Sequence, residues 1–585
     1  MNNHTILLIL DELPKRAKIS LLSTCKFAHE MFYDKFWIVI KKYDDLENLS
    51  KNTKYLQYHE NFAYDKRVLP NLPNSIVEIK FVGGFNRNID NLPQNLQKLT
   101  LSGLFNKNID NLPSSLEYLE IGHYFNQEID HLPANIKYLI FDGLSLFNKK
   151  VDKLPPNLVE LRFGQRFNNF VYNLPQNLEK IKFGTDFNQS VKNLPHGIKY
   201  LKFGHYFNKN VDDLPASVET LIFGYHFNKF IDHLPVNLRY LKLGEYFLQS
   251  LNNLPINLME LKIKNIGQEI YKLPENLQKF KVGGKETSYG KINEFPKNTK
   301  VIKLPSNFSG KVINLPRDIT HLKVGYAFDQ KIDNNFCCLK HLEISGEFNQ
   351  NIDNLPKTLE YLWMKCDRFN YNIDNLPRSL KHLTIKSYKF SKKINNLPEN
   401  LVHLCLEVKH AEIVKFPQKL EHLVFDAKDS NEIYYDMNIL PASVKYLDLG
   451  YKFNHKIINL PVNLRILNIG IKSYQNIDNL PQNLVELRLR MSILPQNLVE
   501  LRLRMSSEQK NIIFPPNLEI LSIGNKNINE VLPNSLLHLK IIDAVFDEKI
   551  TKLPPNLESI NIGWSYKYMR ELRELCGSDV EIITR

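Results

Sequence analysis

Cysteine is scarce in this chain, and its placement argues against two common kinds of site. Only six cysteines occur in 585 residues, and no two of them form a Cys-x-x-Cys pair. This usage disfavours a structural zinc site and a secreted disulfide framework, so we expect a cytoplasmic protein in a reducing environment. We interpret the adjacent Cys337 and Cys338 as simple fillers at a corner of the chain rather than as a redox pair.

Long apolar runs and the short motifs of common enzyme classes are also missing. The longest apolar run near the N-terminus, Ile6 to Leu10, is too short for a signal peptide or a membrane span. The sequence contains no glycine-rich phosphate loop, no His-Glu-x-x-His pair and no nucleophile elbow. We therefore expect a protein without catalytic residues, cofactors, bound metal or membrane contact.

What the sequence does contain is a unit of twenty residues that returns along most of its length. The unit carries a Leu-Pro pair whose spacing is constant except for one two-residue insertion before Pro155. A fixed short period is typical of a solenoid, which grows by repetition and does not divide into separate domains. The prolines of the most regular copies are Pro73, Pro93, Pro113, Pro133, Pro155, Pro175, Pro195, Pro215, Pro235 and Pro255.

Each copy of the unit predicts one short strand. In the copy at 116–135, Leu119 and Ile121 alternate with Tyr118 and Glu120, which is the pattern of a strand with one buried face. A coil this short cannot bury its own apolar face, so the copies must stack and form a parallel sheet. The prediction is a repeat solenoid, a leucine-rich-repeat-like horseshoe of about 25 coils with the sheet on its concave side.

A nine-residue string within the unit resembles a known family. Phe-Asn-x-x-Ile-Asp-Asn-Leu-Pro, as at Phe105–Pro113 and Phe348–Pro356, is similar to the FNIP repeat, a relative of the leucine-rich repeat. The likeness covers nearly all of residues 60–562 and implies a leucine-rich-repeat-like fold without catalysis of its own. The core of the unit also resembles the short repeats of bacterial effector ubiquitin ligases, whose separate catalytic domain has no room here.

The ends of the chain break the repeat and divide it into three parts. Residues 1–42 have apolar residues at helical spacing, residues 43–562 form the solenoid, and residues 563–585 are predicted to cap its far end. Within that last part, Tyr566 to Leu575 predicts a helix and Val580 to Ile583 predicts a strand.

Residues 1–42 contain a segment, from Leu13 to Phe27, that resembles the second half of an F-box, the adaptor-docking motif of cullin-RING ubiquitin ligases. The chain departs from that motif, because the Leu-Pro and the acidic-apolar helix that normally open an F-box are missing before Leu13. The alternative is a plain helical cap that covers the first coil. The resemblance implies docking of a Skp-type adaptor through Leu13, Pro14, Ile19, Leu22 and Cys25.

Two columns of residues are predicted to line the exposed face of the sheet. One column is basic at eight of its nine positions, and the net charge of the chain is +13, which favours an acidic or phosphorylated partner. The alternative is that the lysine stems extend into solvent and were only copied with the repeat. The basic residues are Arg162, Lys182, Lys202, Lys242, Lys262, Lys281, Lys303 and Lys323.

The other column carries rings. We interpret it as a recognition surface or as simple stacking, and give less weight to zinc binding because no cysteine accompanies the histidines. The ring-bearing candidates for partner binding are Tyr200, Tyr240, His321, His341, Tyr361, His382 and His403.

The repeated Ile-Asp-Asn segment could suggest a calcium ladder. A single acidic group per coil beside apolar residues fits turn capping better than calcium ligation.

Three functions remain open from the sequence. The first is a substrate-recognition subunit of an F-box-type ubiquitin ligase, which would hold a target protein on the concave face. The second is a pure interaction scaffold with a helical cap. The third is a nucleic-acid binder that uses the basic column and the tyrosines.

Overall fold

A computed structural model of the protein describes residues 37–60, 68–283, 291–308, 314–326, 328–427, 439–450, 459–469, 481, 483–484, 486–489, 500–504, 516–524, 532–541, 546, 549–563, 566–576 and 580–584. The chain forms two compact units, Met1–Thr299 and Lys300–Arg585. The five residues predicted to dock an adaptor, which range from Leu13 to Cys25, lie outside the described residues.

The described part of the first unit contains a parallel sheet in which each strand pairs with the next one along the chain. A short 3₁₀ helix, Tyr43–Leu46, lies between its first two strands. The strands are β1 (Trp37–Ile40), β2 (Tyr55–Glu60), β3 (Glu78–Gly83), β4 (Lys98–Thr100), β5 (Tyr118–Ile121), β6 (Tyr138–Phe141), β7 (Glu160–Arg162), β8 (Lys180–Lys182), β9 (Tyr200–Lys202), β10 (Thr220–Ile222), β11 (Tyr240–Lys242), β12 (Glu260–Ile263) and β13 (Lys279–Val282).

The described part of the second unit repeats this arrangement, again with each strand parallel to the next. One helix, α1 (Met569–Cys576), lies between its last two strands. The strands are β14 (Val301–Lys303), β15 (His321–Val324), β16 (His341–Ser345), β17 (Tyr361–Lys365), β18 (His382–Ser387), β19 (His403–Val408), β20 (His422–Ala427), β21 (Tyr446–Asp448), β22 (Ile466–Asn468), β23 (Glu486–Leu489), β24 (Glu500–Arg504), β25 (Ile520–Gly524), β26 (His538–Ile541), β27 (Ser559–Ile562) and β28 (Glu581–Thr584).

The alternation predicted for residues 118–121 is confirmed. In β5, Leu119 and Ile121 are fully buried, whereas Tyr118 and Glu120 remain partly exposed. The register places equivalent residues of successive coils side by side, as Leu99 opposite Leu119. The repeat solenoid predicted from the sequence is therefore the fold of each unit.

A ladder of phenylalanine rings fills the interior of the first unit. Neighbouring rings lie 6.0–6.2 Å apart between centroids and are stacked, which is within the range that aromatic pairs prefer. The rings are almost completely buried, so each coil hides its bulk only against its neighbours. The ladder consists of Phe85, Phe105, Phe125, Phe147, Phe167, Phe187, Phe207, Phe227 and Phe247.

A ladder of asparagines follows these phenylalanines in the sequence. Their side chains accept hydrogen bonds from backbone N–H groups that lie beyond the ends of the strands. The side-chain oxygen of each asparagine accepts a hydrogen bond of 2.8–3.1 Å from the backbone N–H of the equivalent residue in the next coil. Backbone donors without a strand partner need such an acceptor. The accepting residues are Asn86, Asn106, Asn126, Asn148, Asn168, Asn188, Asn208 and Asn228.

Glycine follows the strand because successive coils almost touch there. A Cβ atom built on Gly204 would lie 1.6 Å from the carbonyl oxygen of Gly184, and one on Gly184 would lie 1.7 Å from that of Gly164. None of these three glycines has a positive φ. The close approach of two backbones, and not the dihedral angle of the turn, therefore requires glycine.

The two ends differ in how well the sequence predicted them. Trp37 was assigned to the helical N-terminal segment, and this was wrong, because Trp37–Ile40 forms a strand paired with β2. Its ring packs on Tyr55, with centroids 5.7 Å apart, and the β-branched residues that follow favour a strand. At the other end, α1 and β28 confirm the predicted helix and strand. None of the helices in the described part of the chain combines the length and the apolar character that a membrane crossing requires.

Candidate protein-interaction surface

The basic column predicted from the sequence forms a row on the exposed face of the first unit. We define the basic row as the third residues of β7, β8, β9, β11, β12 and β13, which the register places side by side with one interruption, Ile222 of β10. The row consists of Arg162, Lys182, Lys202, Lys242, Lys262 and Lys281. Lys303 and Lys323 belong to the second unit, where they lie opposite each other in β14 and β15.

Both ends of the basic row are compensated in part by carboxylates at the first strand position. Glu160 lies 3.0 Å from the Nζ of Lys180 and also contacts Arg162, and Glu260 lies 3.0 Å from the Nζ of Lys281. Burial alone would raise the pKa of Glu160 and of Glu260, but hydrogen bonds from the basic side chains outweigh it and lower both pKa values. These carboxylates therefore stay ionised and cancel positive charge at the ends.

Among the described residues, no carboxylate compensates the positive charge at the centre of the basic row. Within the described part of the chain, Lys182, Lys202 and Lys242 form no ion pair with a carboxylate. Burial and the neighbouring Arg162 lower the pKa of Lys182, and burial and the neighbouring Lys264 lower that of Lys242. Lys182 and Lys202 are on adjacent strands, about 4.8 Å apart, and Lys242 follows two strands further on, so these uncompensated like charges repel one another and attract an anion.

Tyr200 and Tyr240 support the lysines from the neighbouring column. The Nζ atoms of Lys180 and Lys182 lie 5.5 and 5.6 Å from the ring centroid of Tyr200, and that of Lys262 lies 4.9 Å from Tyr240. At these distances the face of the ring attracts the ammonium group. The sequence predicted both tyrosines as partner contacts, and the structure brings them to the basic row.

The rings of the second unit form a continuous series of stacked, tilted and edge-to-face contacts that we call the ring column. His341 and Tyr361 are parallel with centroids 4.0 Å apart, and so are His422 and Tyr446. Successive members are register partners on adjacent strands. The ring column consists of His321, His341, Tyr361, His382, His403, His422 and Tyr446.

The histidines in the middle of the ring column are held neutral. Burial, together with His422 and His382, lowers the pKa of His403 to about 4. Burial also lowers the pKa of His422. Among the described residues the ring column does not bring three possible metal ligands within 4.8 Å of one another.

Lys303 and Lys323, the two residues of the predicted basic column that lie in the second unit, differ in their surroundings. Lys323 lies 2.8 Å from a carboxylate oxygen of Glu343, which also contacts His341 at 2.8 Å. In the described part of the chain Lys303 forms no ion pair. Glu343 therefore compensates one of the two positive charges of Lys303 and Lys323. The basic row of the first unit attracts anions more strongly than these two lysines do.

Aspartates of the Ile-Asp-Asn segment accept hydrogen bonds from asparagines of the next coil. The side-chain amide of Asn111 donates a hydrogen bond of 3.0 Å to Asp90 in the preceding coil, and Asn253 donates one of 2.9 Å to Asp232. These carboxylates are used to join one turn to the next.

One exposed cluster was missed by the sequence reasoning. We call it the edge rings, and it follows β9, β10 and β11 in the two positions between Gly and Phe. Tyr206 stacks on His226 at 5.1 Å, His226 stacks on Tyr246 at 5.1 Å, and His205 stacks on Tyr225 at 4.8 Å. The three tyrosines are 37–49% exposed. The sequence indicates this cluster by aromatic residues at the same positions of successive copies, which lie outside the strands.

Comparison with known proteins supports the repeat assignment. A family model described as FNIP Repeat matches residues 85–124, 105–143, 147–186, 170–206, 187–226 and 207–246. CroV588, described as a novel circular LRR protein structure, is 27% identical, and the alignment covers 93% of this chain and 97% of CroV588 with a TM-score of 0.63.

Two further structures are more distant. YopM from Yersinia enterocolitica is 19% identical over 89% of this chain and 84% of its own, with a TM-score of 0.25. A leucine-rich-repeat protein of Leptospira interrogans is 16% identical over 66% of this chain and 94% of its own, with a TM-score of 0.31. The chain has no match among curated proteins. The FNIP matches and the likeness to CroV588 together identify a leucine-rich-repeat-like solenoid with FNIP repeats within residues 85–246.

Proposed function

We propose that this protein is a non-catalytic, cytoplasmic interaction protein that binds an acidic or phosphorylated segment of a partner protein on the basic row. The observation that carries the proposal is the uncompensated charge of Lys182, Lys202 and Lys242 on the exposed face of the sheet. Such a row costs folding free energy through mutual repulsion, and an anionic partner relieves it.

The extent of uncompensated charge suits a short segment. It runs from β8 to β11, which is about 14 Å at one strand spacing per coil. Glu160 and Glu260 lie beyond its two ends and reduce the attraction for a long polyanion that continued across them. A peptide with two or three acidic or phosphorylated side chains matches this charge pattern better than a nucleic acid strand does.

The edge rings offer such a segment a second contact. They follow the same strands as Lys202 and Lys242, separated from them by a buried apolar residue, Phe203 or Leu243, and a glycine. Exposed tyrosines provide large apolar contact area at low cost in side-chain entropy. An acidic segment with an adjacent apolar or aromatic side chain would therefore be favoured.

The test compares one triple variant with a matched control. Lys182, Lys202 and Lys242 are changed together to Gln, and the control changes the exposed Lys192, Lys209 and Lys229. The probes are a fluorescent hexaglutamate peptide, a peptide with two phosphoserines, and a single-stranded RNA of random sequence.

We expect the first variant to weaken peptide binding at least about tenfold and to flatten its salt dependence, with the control unchanged. The proposal is wrong if neither peptide binds the wild type, or if both triple variants weaken binding equally. Tighter binding of RNA than of either peptide would favour the nucleic-acid function instead.

The resemblance of residues 1–42 to part of an F-box supports a finer proposal. In it, the N-terminal segment docks a Skp-type adaptor of a cullin-RING ligase, and the partner on the basic row is the substrate. Ubiquitin transfer would then be performed by other subunits. Removal of residues 1–36, which leaves β1 in place, should abolish capture of a purified adaptor while peptide binding to the basic row persists.

A further inference from the structure

One turn of the second unit departs from the repeat in both of its characteristic residues. Phe336, Cys337, Cys338 and Leu339 occupy the place of the Pro-x-Asn-Leu turn. The backbone of the turn is kept, because the N–H of Leu339 donates to the carbonyl of Phe336 at 3.1 Å, the bond that Leu359 makes to Pro356 in the next coil. The side chains have changed while the fold of the turn has not.

The lost asparagine has a structural duty in other coils. The amide of Asn257 donates a hydrogen bond of 3.0 Å to the carbonyl of Val236 in the preceding coil, and Asn400 makes the same bond to Arg378. Cys338 stands at this position here, and Asp318 stands at it one coil earlier. An ionised carboxylate cannot donate this bond and a thiol donates only weakly, so at the Pro-x-Asn position two successive coils carry potential metal ligands instead of the asparagine amide.

The geometry of these side chains suits one metal ion. The Sγ atoms of Cys337 and Cys338 lie 3.7 Å apart. Two thiolates at about 2.3 Å from one tetrahedral zinc ion lie about 3.8 Å apart. A carboxylate oxygen of Asp318 lies within 4.8 Å of both sulfurs, and no other group of three such ligands is this close in the described part of the chain.

The surroundings leave the three ligands accessible and hold the turn in place. Cys337 and Asp318 are exposed and Cys338 is partly exposed. The hydroxyl of Thr358, from the following coil, donates to the carbonyl of Cys337 at 3.2 Å. Asp318 also forms an ion pair with Lys300, whose Nζ lies 3.5 Å from a carboxylate oxygen, and exposed ion pairs of this kind contribute little.

We propose that Cys337, Cys338 and Asp318 bind a thiophilic divalent cation such as Zn²⁺, with water in the fourth position. This replaces the interpretation of the two cysteines as simple fillers, and it is independent of the function proposed for the basic row. Binding forms two metal–sulfur bonds and one metal–oxygen bond, and the two thiol protons are released to solvent. Soft thiolate ligands select zinc and related ions over magnesium and calcium.

The experiment uses the full-length chain, reduced and free of metal under anaerobic conditions, with Co²⁺ as a spectroscopic probe and Zn²⁺ as its competitor. The double variant Cys337→Gln with Cys338→Asn restores the Gln-Asn pair of residues 176 and 177, so it should fold like a regular coil. The control is Cys405→Ser, which removes a buried thiol elsewhere.

We expect the wild type and the control to bind one Co²⁺ with a thiolate-to-cobalt charge-transfer band that Zn²⁺ abolishes. The double variant should lose the band, and Asp318→Asn should weaken binding at least about tenfold, because even second-shell partners of a metal contribute 10- to 100-fold. Absence of the band in the wild type, or an unchanged band in the double variant with its melting temperature preserved, would overturn the proposal.

Discussion

The side-chain oxygen of Asn188 accepts a hydrogen bond of 2.9 Å from the backbone N–H of Asn208, which lies one coil further along the chain. The contact repeats between successive coils and joins them outside the sheet. It gives the asparagine of the Phe-Asn pair a defined role: the phenylalanine supplies buried bulk, and the asparagine supplies the acceptor that a turn without strand partners needs.

The first prediction concerns this contact. Asn188→Leu, which introduces the residue found at the equivalent position 248, should lower the free energy of unfolding by about 1–2 kcal/mol, because the N–H of Asn208 loses its acceptor. The measurement is urea unfolding. Lys209→Ala, an exposed neighbour, is the control. Equal stability of the two variants would contradict a structural role for the ladder.

The second prediction concerns the glycine that follows the strand. Gly204→Ala should destabilise the protein by about 3 kcal/mol or more, because its Cβ would lie 1.6 Å from a carbonyl oxygen and the backbone would have to shift. Gly143→Ala is the matched control, since no atom lies within 4 Å of its Cβ. The measurement is the melting temperature of both variants in thermal unfolding. A similar melting temperature for the two would contradict close packing of the coils.

The third prediction concerns pH. Folding lowers the pKa of His403 from 6.5 to about 4, so between these values the unfolded chain binds a proton that the folded chain does not. Stability attributable to His403 is therefore complete above pH 6.5 and is lost as the pH falls toward 4, by roughly 1 kcal/mol after allowance for solvent screening of this half-buried ring.

The variant that tests it is His403→Tyr, because tyrosine already occupies the ring column at Tyr361 and Tyr446. The free energy of unfolding of this variant should fall less between pH 7 and pH 4 than that of the wild type. Parallel pH profiles for the two proteins would show that His403 takes up its proton equally in both states.

The fourth prediction concerns adaptor docking, and it rests on the resemblance of the N-terminal segment to an F-box. Leu13→Asp with Leu22→Asp should abolish capture of a purified Skp-type adaptor without changing the melting temperature. Ser20→Asp with Ser23→Asp adds the same charge to the same segment and serves as the control. Capture that survives the leucine changes, or that never occurs with the wild type, would exclude the ligase role.

The sequence by itself determined the repeat, the strand of each coil and the residues buried in it. Leu119 and Ile121 could be assigned to the interior because period-two alternation is a local property, and repetition shows the same pattern many times. The same reasoning placed Lys182 and Lys202 in one row, since copies of equal length must align. The helix prediction was wrong at Trp37 because the strand Trp37–Ile40 is not part of a regular repeat, so its short sequence had no equivalent copies to identify it.

Only the tertiary structure decided which charges are compensated and which possible ligands meet. The ion pair between Lys281 and Glu260 joins residues from different coils. The close approach of Cys338 and Asp318 does so as well. Such contacts depend on register and side-chain direction across the stack, which no single repeat specifies. The close backbone approach at Gly204 is of the same kind, because the carbonyl that excludes a side chain belongs to the preceding coil.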